Sequence, residues 1–79
     1  MLKLRIVSPE KVVYNGEVES LKVPGMVGEF EILDNHAPII STLVNGTVVY
    51  TTKDGSQSLP VKGGFGEVKK NEVSLCVEV

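Results

Sequence analysis

The amino-acid sequence predicts an all-β domain, a two-sheet antiparallel β-sandwich of eight to ten short strands. Valine occurs 14 times, whereas alanine, the strongest helix former, occurs only once. Such a density of β-branched residues suits a pleated, half-buried surface. Eight glycines and four prolines interrupt the apolar segments at short intervals, as all-β sandwiches and barrels require. The chain is long enough for one domain, expected to span residues 1–79.

Residues 1–16 predict a strand, a turn and a hairpin. Leu2, Leu4 and Ile6 alternate with charged residues, so they share the buried face of a first strand. Residues 8–11 turn the chain into a second strand. Asn15-Gly16 then favours a type I′ hairpin turn, because both central positions of that turn need φ > 0.

Residues 17–33 predict two further strands around a Pro-Gly turn at residues 24–25. The acidic residues at 17 and 19 fall out of phase with the apolar residues that follow. A bulge near Ser20 is expected to bring three apolar side chains inward together, namely Val18, Leu21 and Val23. Beyond the turn, Phe30 and Ile32 share one face of a strand and Glu29 and Glu31 the other.

The second half repeats the pattern of short strands and tight turns. Hairpins are expected at residues 45–46 and 54–55, and a turn at residues 69–71. Pro60 confines its strand to a sheet edge or a bulge, because proline cannot donate to the ladder. The last strand is expected to bury one face and to leave Cys76 on the other; the buried face consists of Val73, Leu75, Val77 and Val79.

Composition narrows the class of function. A net charge of −2 provides no basic patch for nucleic acid. No apolar run approaches the roughly 20 residues of a membrane span, and the alternating N-terminus predicts a strand rather than a signal peptide. A single cysteine excludes an intrachain disulfide and fits a reducing compartment. The expectation is a soluble, cytoplasmic protein that touches a membrane only through a partner.

The sequence predicts no catalytic, cofactor or metal site. His36, the sole histidine, could act as a base, but it has no partner nearby in sequence and is more typical of a surface or interface residue. Cys76 has no neighbouring cation to activate its thiol, and one His and one Cys do not form a metal cluster. The pairs Glu17/Glu19 and Glu29/Glu31 could hydrolyse glycosides, but a solvated edge is the simpler interpretation. Residues 63–66 do not open a helix, so they are not a phosphate loop.

Three separated motifs in the chain carry a resemblance to a known family. Residues 24–33 read Pro-Gly-Met-Val-Gly-Glu-Phe-Glu-Ile-Leu, and residues 36–38 read His-Ala-Pro. Residues 63–65, Gly-Gly-Phe, are followed by Glu67-Val68, Asn71 and Val73. Together with the opening at residues 7–10 and the Tyr-Asn-Gly at residues 14–16, these motifs resemble the ε subunit of F-type ATP synthases, and specifically its N-terminal β-sandwich domain, so the resemblance covers the whole chain.

The resemblance implies a non-catalytic central-stalk subunit of a proton- or sodium-driven enzyme, linking the γ subunit to the membrane c-ring. It implies c-ring contacts by Gly28, Glu29, Phe30, Asp34, Asn35 and His36. It implies γ contacts by Ser8, His36 and Ser41. His36 could equally cap its own loop, and Ser8 and Ser41 could be ordinary turn and sheet residues. The resemblance further implies a monomer within the complex, peripheral at the cytoplasmic face of the inner (plasma) membrane.

The chain departs from the family pattern at three places. Glu31 stands where glycine is frequent, and Asp34-Asn35 stands where Pro-Gly is frequent, which leaves the pose of His36 open. Many members continue into two C-terminal helices that inhibit ATP hydrolysis, whereas this sequence ends at Val79. A naturally short subunit without inhibition or ATP binding is therefore expected.

Two other classes of protein stay open at this point. One is an unrelated β-sandwich binding module. The other is a biotinyl- or lipoyl-type carrier, which presents a lysine at a hairpin tip. Lys53 precedes Asp54-Gly55 as such a carrier would require, but Thr52 and Asp54 are not the neighbours that those carriers show.

Overall fold

The computed structural model describes residues 1–33 and 36–79, with the side chain of His36 left aside. Nine strands make up this part of the chain, within the predicted range of eight to ten. They are β1 Leu2–Val7, β2 Val12–Val18, β3 Ser20–Gly25, β4 Gly28–Ile32, β5 His36–Leu43, β6 Gly46–Thr52, β7 Gly55–Val61, β8 Gly63–Lys70 and β9 Glu72–Glu78.

The strands form one sheet that curls into two leaves, which confirms the predicted all-β sandwich. The first leaf runs β2-β1-β9-β8-β5, and the second contains β7-β6-β3 with β4 on the far side of β3. The leaves are joined where Gly25 lies opposite Leu43. Neighbouring strands are antiparallel with one exception, because β1 and β9 pair in parallel. The first and last strands of the described chain therefore lie side by side.

The core lies between the leaves and is entirely apolar among the described residues. The alternation of buried and exposed residues in β1 and β9 follows the prediction. The first leaf contributes Leu2, Leu4, Ile6, Val18, Leu43, Val68, Val73, Leu75 and Val77, and the second Leu21, Val23, Ile32, Val48 and Val61. Val79 was predicted to belong to this set but is 51% exposed, because it follows the last paired residue of β9.

Two corners connect the leaves. At Glu19 the chain leaves β2 and enters β3, and the Glu19 N–H donates to the Thr51 carbonyl at 2.7 Å. Val18 and Leu21 both point into the core, as predicted. The reason is this crossing of the chain from one leaf to the other, and not a bulge within one strand. The second corner lies between β5 and β6, where a Cβ on Gly46 would come within 2.7 Å of the Pro24 side chain. Only glycine allows the two segments to approach this closely.

Three turn predictions need correction. Asn15 and Gly16 lie inside β2, opposite Arg5 and Leu4, and the hairpin between β1 and β2 closes earlier, at residues 8–11. The Asn45-Gly46 pair forms the corner just described, since β5 and β6 do not pair with each other in the described chain. The Pro24-Gly25 pair belongs to β3, and the turn falls on the next two residues.

The remaining turn predictions are confirmed. The hairpin between β6 and β7 turns just before Gly55, which has a φ of 116°. Lys70 adopts a φ of 54° at the turn into β9. Pro60 lies on β7, an edge strand, as proline in a sheet requires.

Two tyrosines close the side of the sandwich that lies opposite the Gly25–Leu43 junction of the two leaves. Tyr14 of β2 and Tyr50 of β6 place their ring centroids 4.6 Å apart at a tilt of 43°. The Tyr14 ring also covers Gly16, whose Cβ position lies 3.0 Å from the Tyr14 hydroxyl. This contact gives a physical reason for a glycine within β2, where the sequence had predicted a turn.

Candidate functional site

A hairpin tip between β3 and β4 carries two strongly exposed apolar residues, one of them the most exposed large apolar residue of the described chain. The tip comprises residues 26–29, and Met26 and Val27 are 67% and 102% exposed. Gly28 has a φ of 135°, which disfavours any side chain there. The tip is anchored, because the Met26 N–H donates to the Thr42 carbonyl of β5 at 3.1 Å. The 26–29 tip is therefore an anchored apolar protrusion, suited to insertion into a partner protein.

The outer face of β4 carries two carboxylates in different settings. Glu31 lies directly opposite Lys22 of β3, whereas Glu29 lies opposite Pro24. Opposite charges on directly paired residues of neighbouring strands attract each other. Glu31 therefore has a cation of its own chain across the ladder, and Glu29 does not. Of the two, Glu29 is better placed to pair with a cation of another protein.

Several apolar side chains are exposed on β5 and at the end of β4. Ile40 is 76% exposed, and Ile39 and Leu33 are 38% and 52% exposed. A small gap between β4 and β5 is lined by Phe30, Ile39 and Ser41. Ile40 was not among the predicted site residues. The signal for it is the pair Ile39-Ile40, because two successive residues of a strand point to opposite faces and one isoleucine must face outward.

A second apolar surface lies on the outer face of the first leaf. The cross-strand register brings Val7, Cys76, Phe65 and Thr42 into one row across β1, β9, β8 and β5. Phe65 is 55% exposed. Together with Val7, Pro9 and Cys76 it lines a shallow depression of about 340 Å³. The opposite end of the same face carries alternating charges in the row Glu17, Lys3, Glu72 and Lys69. Apolar exposure is thus concentrated at the end nearer the 26–29 tip.

The structure divides the predicted c-ring residues between two ends of the molecule. Gly28 and Glu29 belong to the tip, and Phe30 points inward into the gap beside β5. His36 pairs with Lys70 at the far end of β5 from Leu43. Asp34 and Asn35 lie outside the described residues.

The predicted γ residues are also separated, although all belong to the first leaf. Ser8 shapes the turn between β1 and β2, where its N–H donates to the Lys11 carbonyl at 2.9 Å. Ser41 is half-buried, and its hydroxyl donates to the Thr42 carbonyl at 3.3 Å. β8 and β9 lie between β5 and β1, a span of about 14 Å at a strand spacing of about 4.8 Å. A single partner covering about 800 Å² would reach all three residues.

The geometry offers little for catalysis. Among the side chains that the structure describes, which do not include that of His36, no three Cys, Asp or Glu residues come together as metal ligands. A wide, shallow depression near the tyrosines is lined by Glu17, Lys53 and Asp54 at its rim, without convergent buried polar groups. The described chain also contains no helix long and apolar enough to cross a membrane. The fold defines a small all-β domain whose exposed apolar surfaces are of the kind found at protein–protein contacts.

Comparison with known proteins identifies the family. Residues 1–79 match the family described as the ATP synthase delta/epsilon chain, β-sandwich domain, and the chain belongs to this family. Lys53 does lie in a hairpin turn, but the family membership separates the chain from lysine-bearing carriers and from unrelated binding modules.

Several curated relatives share more than a third of their aligned residues with the chain. It is 46% identical over 77 residues to an ATP synthase epsilon chain of Leptospira interrogans, covering 98% of this chain and 61% of that protein. It is 42% identical to the ATP synthase epsilon chain of Chlorobium limicola, covering 96% and 88%. The chain thus spans about three-fifths of the length of its Leptospira relatives and most of the Chlorobium one.

Solved structures share the fold at low sequence identity. A chain of the Euglena gracilis mitochondrial ATP synthase, in a structure of OSCP, F1 and c-ring, superposes with a TM-score of 0.89 at 19% identity, covering 96% of this chain and 49% of that one. A chain from the central stalk and c-ring of the Tetrahymena thermophila mitochondrial ATP synthase gives 0.83 at 15% identity, covering 99% and 63%. The fold is therefore retained where the sequence has diverged widely.

Proposed function

We propose that the chain is the β-sandwich of a central-stalk subunit of a rotary ATP synthase, which links the γ subunit to the c-ring without catalysing a reaction itself. The observation that carries this proposal is the family match over residues 1–79. The fold adds a physical reason. A joint that transmits torque must be stiff, and a close-packed two-layer sandwich with an apolar core is a stiff body.

The c-ring contact is assigned to the 26–29 tip. This tip combines two exposed apolar side chains with Glu29, the carboxylate that lacks a cross-strand cation. An apolar anchor beside an uncompensated charge suits a polar or basic loop on the partner. Asp34, Asn35 and His36 stay in the proposed c-ring set as the sequence resemblance implies; the backbone of His36 lies at the far end of β5 from Leu43.

The γ contact is assigned to the first leaf and its β5 edge. This region contains Ser8, Ser41 and the backbone of His36, and it adds the exposed apolar residues Ile40 and Phe65. Exposed apolar patches rimmed by polar residues are typical of protein–protein contacts. In this arrangement the domain is a monomer within the complex, contacts the membrane only through the c-ring, and lies on the cytoplasmic face as a peripheral component.

A direct test is co-purification of the 79-residue chain with the γ subunit of the same organism. A stable one-to-one complex is expected, which then binds isolated c-ring. As a matched pair, Phe65→Ser should weaken γ binding, whereas Lys69→Ser, on the charged part of the same strand, should leave it unchanged. Failure of the unaltered chain to form any complex with γ would defeat the proposal.

A further inference from the structure

β5 presents an open backbone edge. One edge of this strand pairs with β8 from His36 to Leu43. On the other edge, β5 meets β3 only at Leu43, and no further strand of the described chain adjoins residues 38–41. An open edge of this kind is a template for an added strand.

The direction of the backbone groups on this edge follows from one hydrogen bond. The Thr42 carbonyl accepts from the Met26 N–H, so the backbone of Thr42 points away from β8. Ladder geometry repeats every second residue in an antiparallel pair, and the register between Ile39 and Leu43 is unbroken. The N–H and carbonyl of Ile40 therefore point to the open edge, whereas those of Ser41 point to β8.

The other open edges of the molecule carry charges or a proline along their exposed stretch, whereas the stretch of β5 from Ile39 to Thr42 carries neither and has its proline, Pro38, only at one end. β2 carries Glu17, β4 carries Glu29 and Glu31, and β7 carries polar side chains and Pro60. Charges and prolines are the usual means by which edge strands avoid unwanted pairing. β5 contains no Asp, Glu, Lys or Arg, and its exposed Ile40 is apolar. Such an edge is suited to being covered in the assembled protein.

We propose that a short extended segment of the γ subunit adds to β5 as a further strand of the first leaf. The inference rests on the proposed function, which places γ on the same strand through His36 and Ser41. The open stretch admits a strand of about four residues, because it is bounded by Pro38, which has no N–H, and by the Thr42 carbonyl, which Met26 already occupies.

The side chains on either side of the edge define the class of segment. Residues of the incoming strand that point inward would meet Phe30 and Ile39 at the gap between the leaves. Those that point outward would lie beside Ile40. An uncharged segment with at least one large apolar residue on its inward face fits both requirements, and main-chain hydrogen bonds supply the rest of the recognition.

Hydrogen exchange of single backbone amides tests the proposal in the unaltered chain. The Ile40 amide is expected to exchange rapidly in the free chain and to become protected, by about tenfold or more, when γ is bound. The Ser41 amide, bonded to β8, should be slow in both states. If γ binds and the Ile40 amide exchanges as fast as before, strand addition is wrong although the proposed function stands.

Two variants at one position separate backbone recognition from side-chain recognition. Ile40→Pro removes the N–H on the open edge but none from the β8 ladder, so the domain should still fold. Ile40→Ala removes most of the side chain and keeps the N–H. Ile40→Pro is expected to weaken γ binding by about tenfold or more, and clearly more than Ile40→Ala. Equal losses would overturn strand addition in favour of side-chain docking.

The oligomeric state decides between γ and a second copy of the chain as the occupant. Sedimentation of the free chain is expected to show a monomer. A dimer in which the Ile40 amide is already protected without γ would overturn the assignment of this edge to γ. If γ does not bind at all, the proposed function fails first. If Ile40→Pro does not fold, the exchange measurement on the unaltered chain still decides.

Discussion

Gly64 provides a sharp test of the packing of the first leaf, because its neighbour Gly63 serves as a control. Gly64 has a φ of 146°, a conformation that L side chains rarely adopt. A Cβ at this position would also overlap the Cys76 carbonyl on β9 and lie 2.9 Å from the Val77 Cα. Both obstacles are backbone atoms, which cannot rotate away. Gly63 has no positive φ, and its nearest neighbour, the Leu43 carbonyl oxygen, lies 3.5 Å from the Cβ position.

The expected cost of Gly64→Ala has two parts. A residue held in a sparsely populated backbone region costs about 1–3 kcal/mol. Inserting an atom into a close-packed site costs about 1–3 kcal/mol more. The sum, roughly 2–6 kcal/mol, is a large share of the free energy of unfolding of a chain this size, which is about 4–12 kcal/mol. Gly63→Ala should change stability by less than about 1 kcal/mol, and in the stabilising direction, because it restricts the unfolded chain.

Thermal unfolding followed by circular dichroism measures both variants. Gly64→Ala is expected to lower Tm by about 10 °C or more, at about 4–8 °C per kcal/mol for a domain of this length, or to prevent folding. Gly63→Ala should melt within a few degrees of the unaltered chain. Equal melting temperatures for the two variants would refute the register of β8 against β9 on which the reasoning depends.

Three further predictions concern the tip, the tyrosine closure and the core. Glu29→Lys should weaken c-ring binding of the γ complex several-fold without changing Tm, whereas Glu31→Lys should leave binding intact; equal effects on binding would remove Glu29 from the contact. A double-mutant cycle on Tyr14 and Tyr50, each changed to Leu and followed by urea unfolding, should give a coupling of about 0.5–1.5 kcal/mol; zero coupling would show that the rings do not pack in solution. Leu75→Ala should cost about 2–5 kcal/mol, because this side chain is 1% exposed at the centre of β9; a loss below about 1 kcal/mol would contradict its central position.

Strands in which apolar and polar residues alternate strictly could be predicted from the sequence. The buried faces of β1 and β9 follow directly from their two-residue period, and the acidic outer face of β4 does as well. The turn predicted at residues 69–71 and the hairpin predicted at residues 54–55, which turns on residues 53–54, could be predicted because local residue preferences decide them. Val79 is the exception in β9, since burial also depends on which partner strand extends to that position.

Long-range pairing could not be predicted in the same way. Asn15-Gly16 has the composition of a hairpin turn, but pairing with β1 and the cover of the Tyr14 ring hold it in an extended strand. The parallel pairing of β1 with β9 joins segments about 70 residues apart, and no local signal specifies it. The candidate site also depends on long-range pairing that the local sequence does not specify. Glu29 was found from a resemblance, whereas the open edge at Ile40 became visible only when the neighbours of β5 were known.

Site-specific crosslinking in the assembled complex tests the bridging role most directly. Val27→Cys and Asp54→Cys, each in a Cys76→Ser background, place single thiols on hairpin turns at opposite ends of the second leaf. With γ bound, Val27→Cys is predicted to crosslink to a c subunit and Asp54→Cys is not. Crosslinks to the c-ring from Asp54→Cys alone, or from neither position in a complex that contains γ and the ring, would contradict the account.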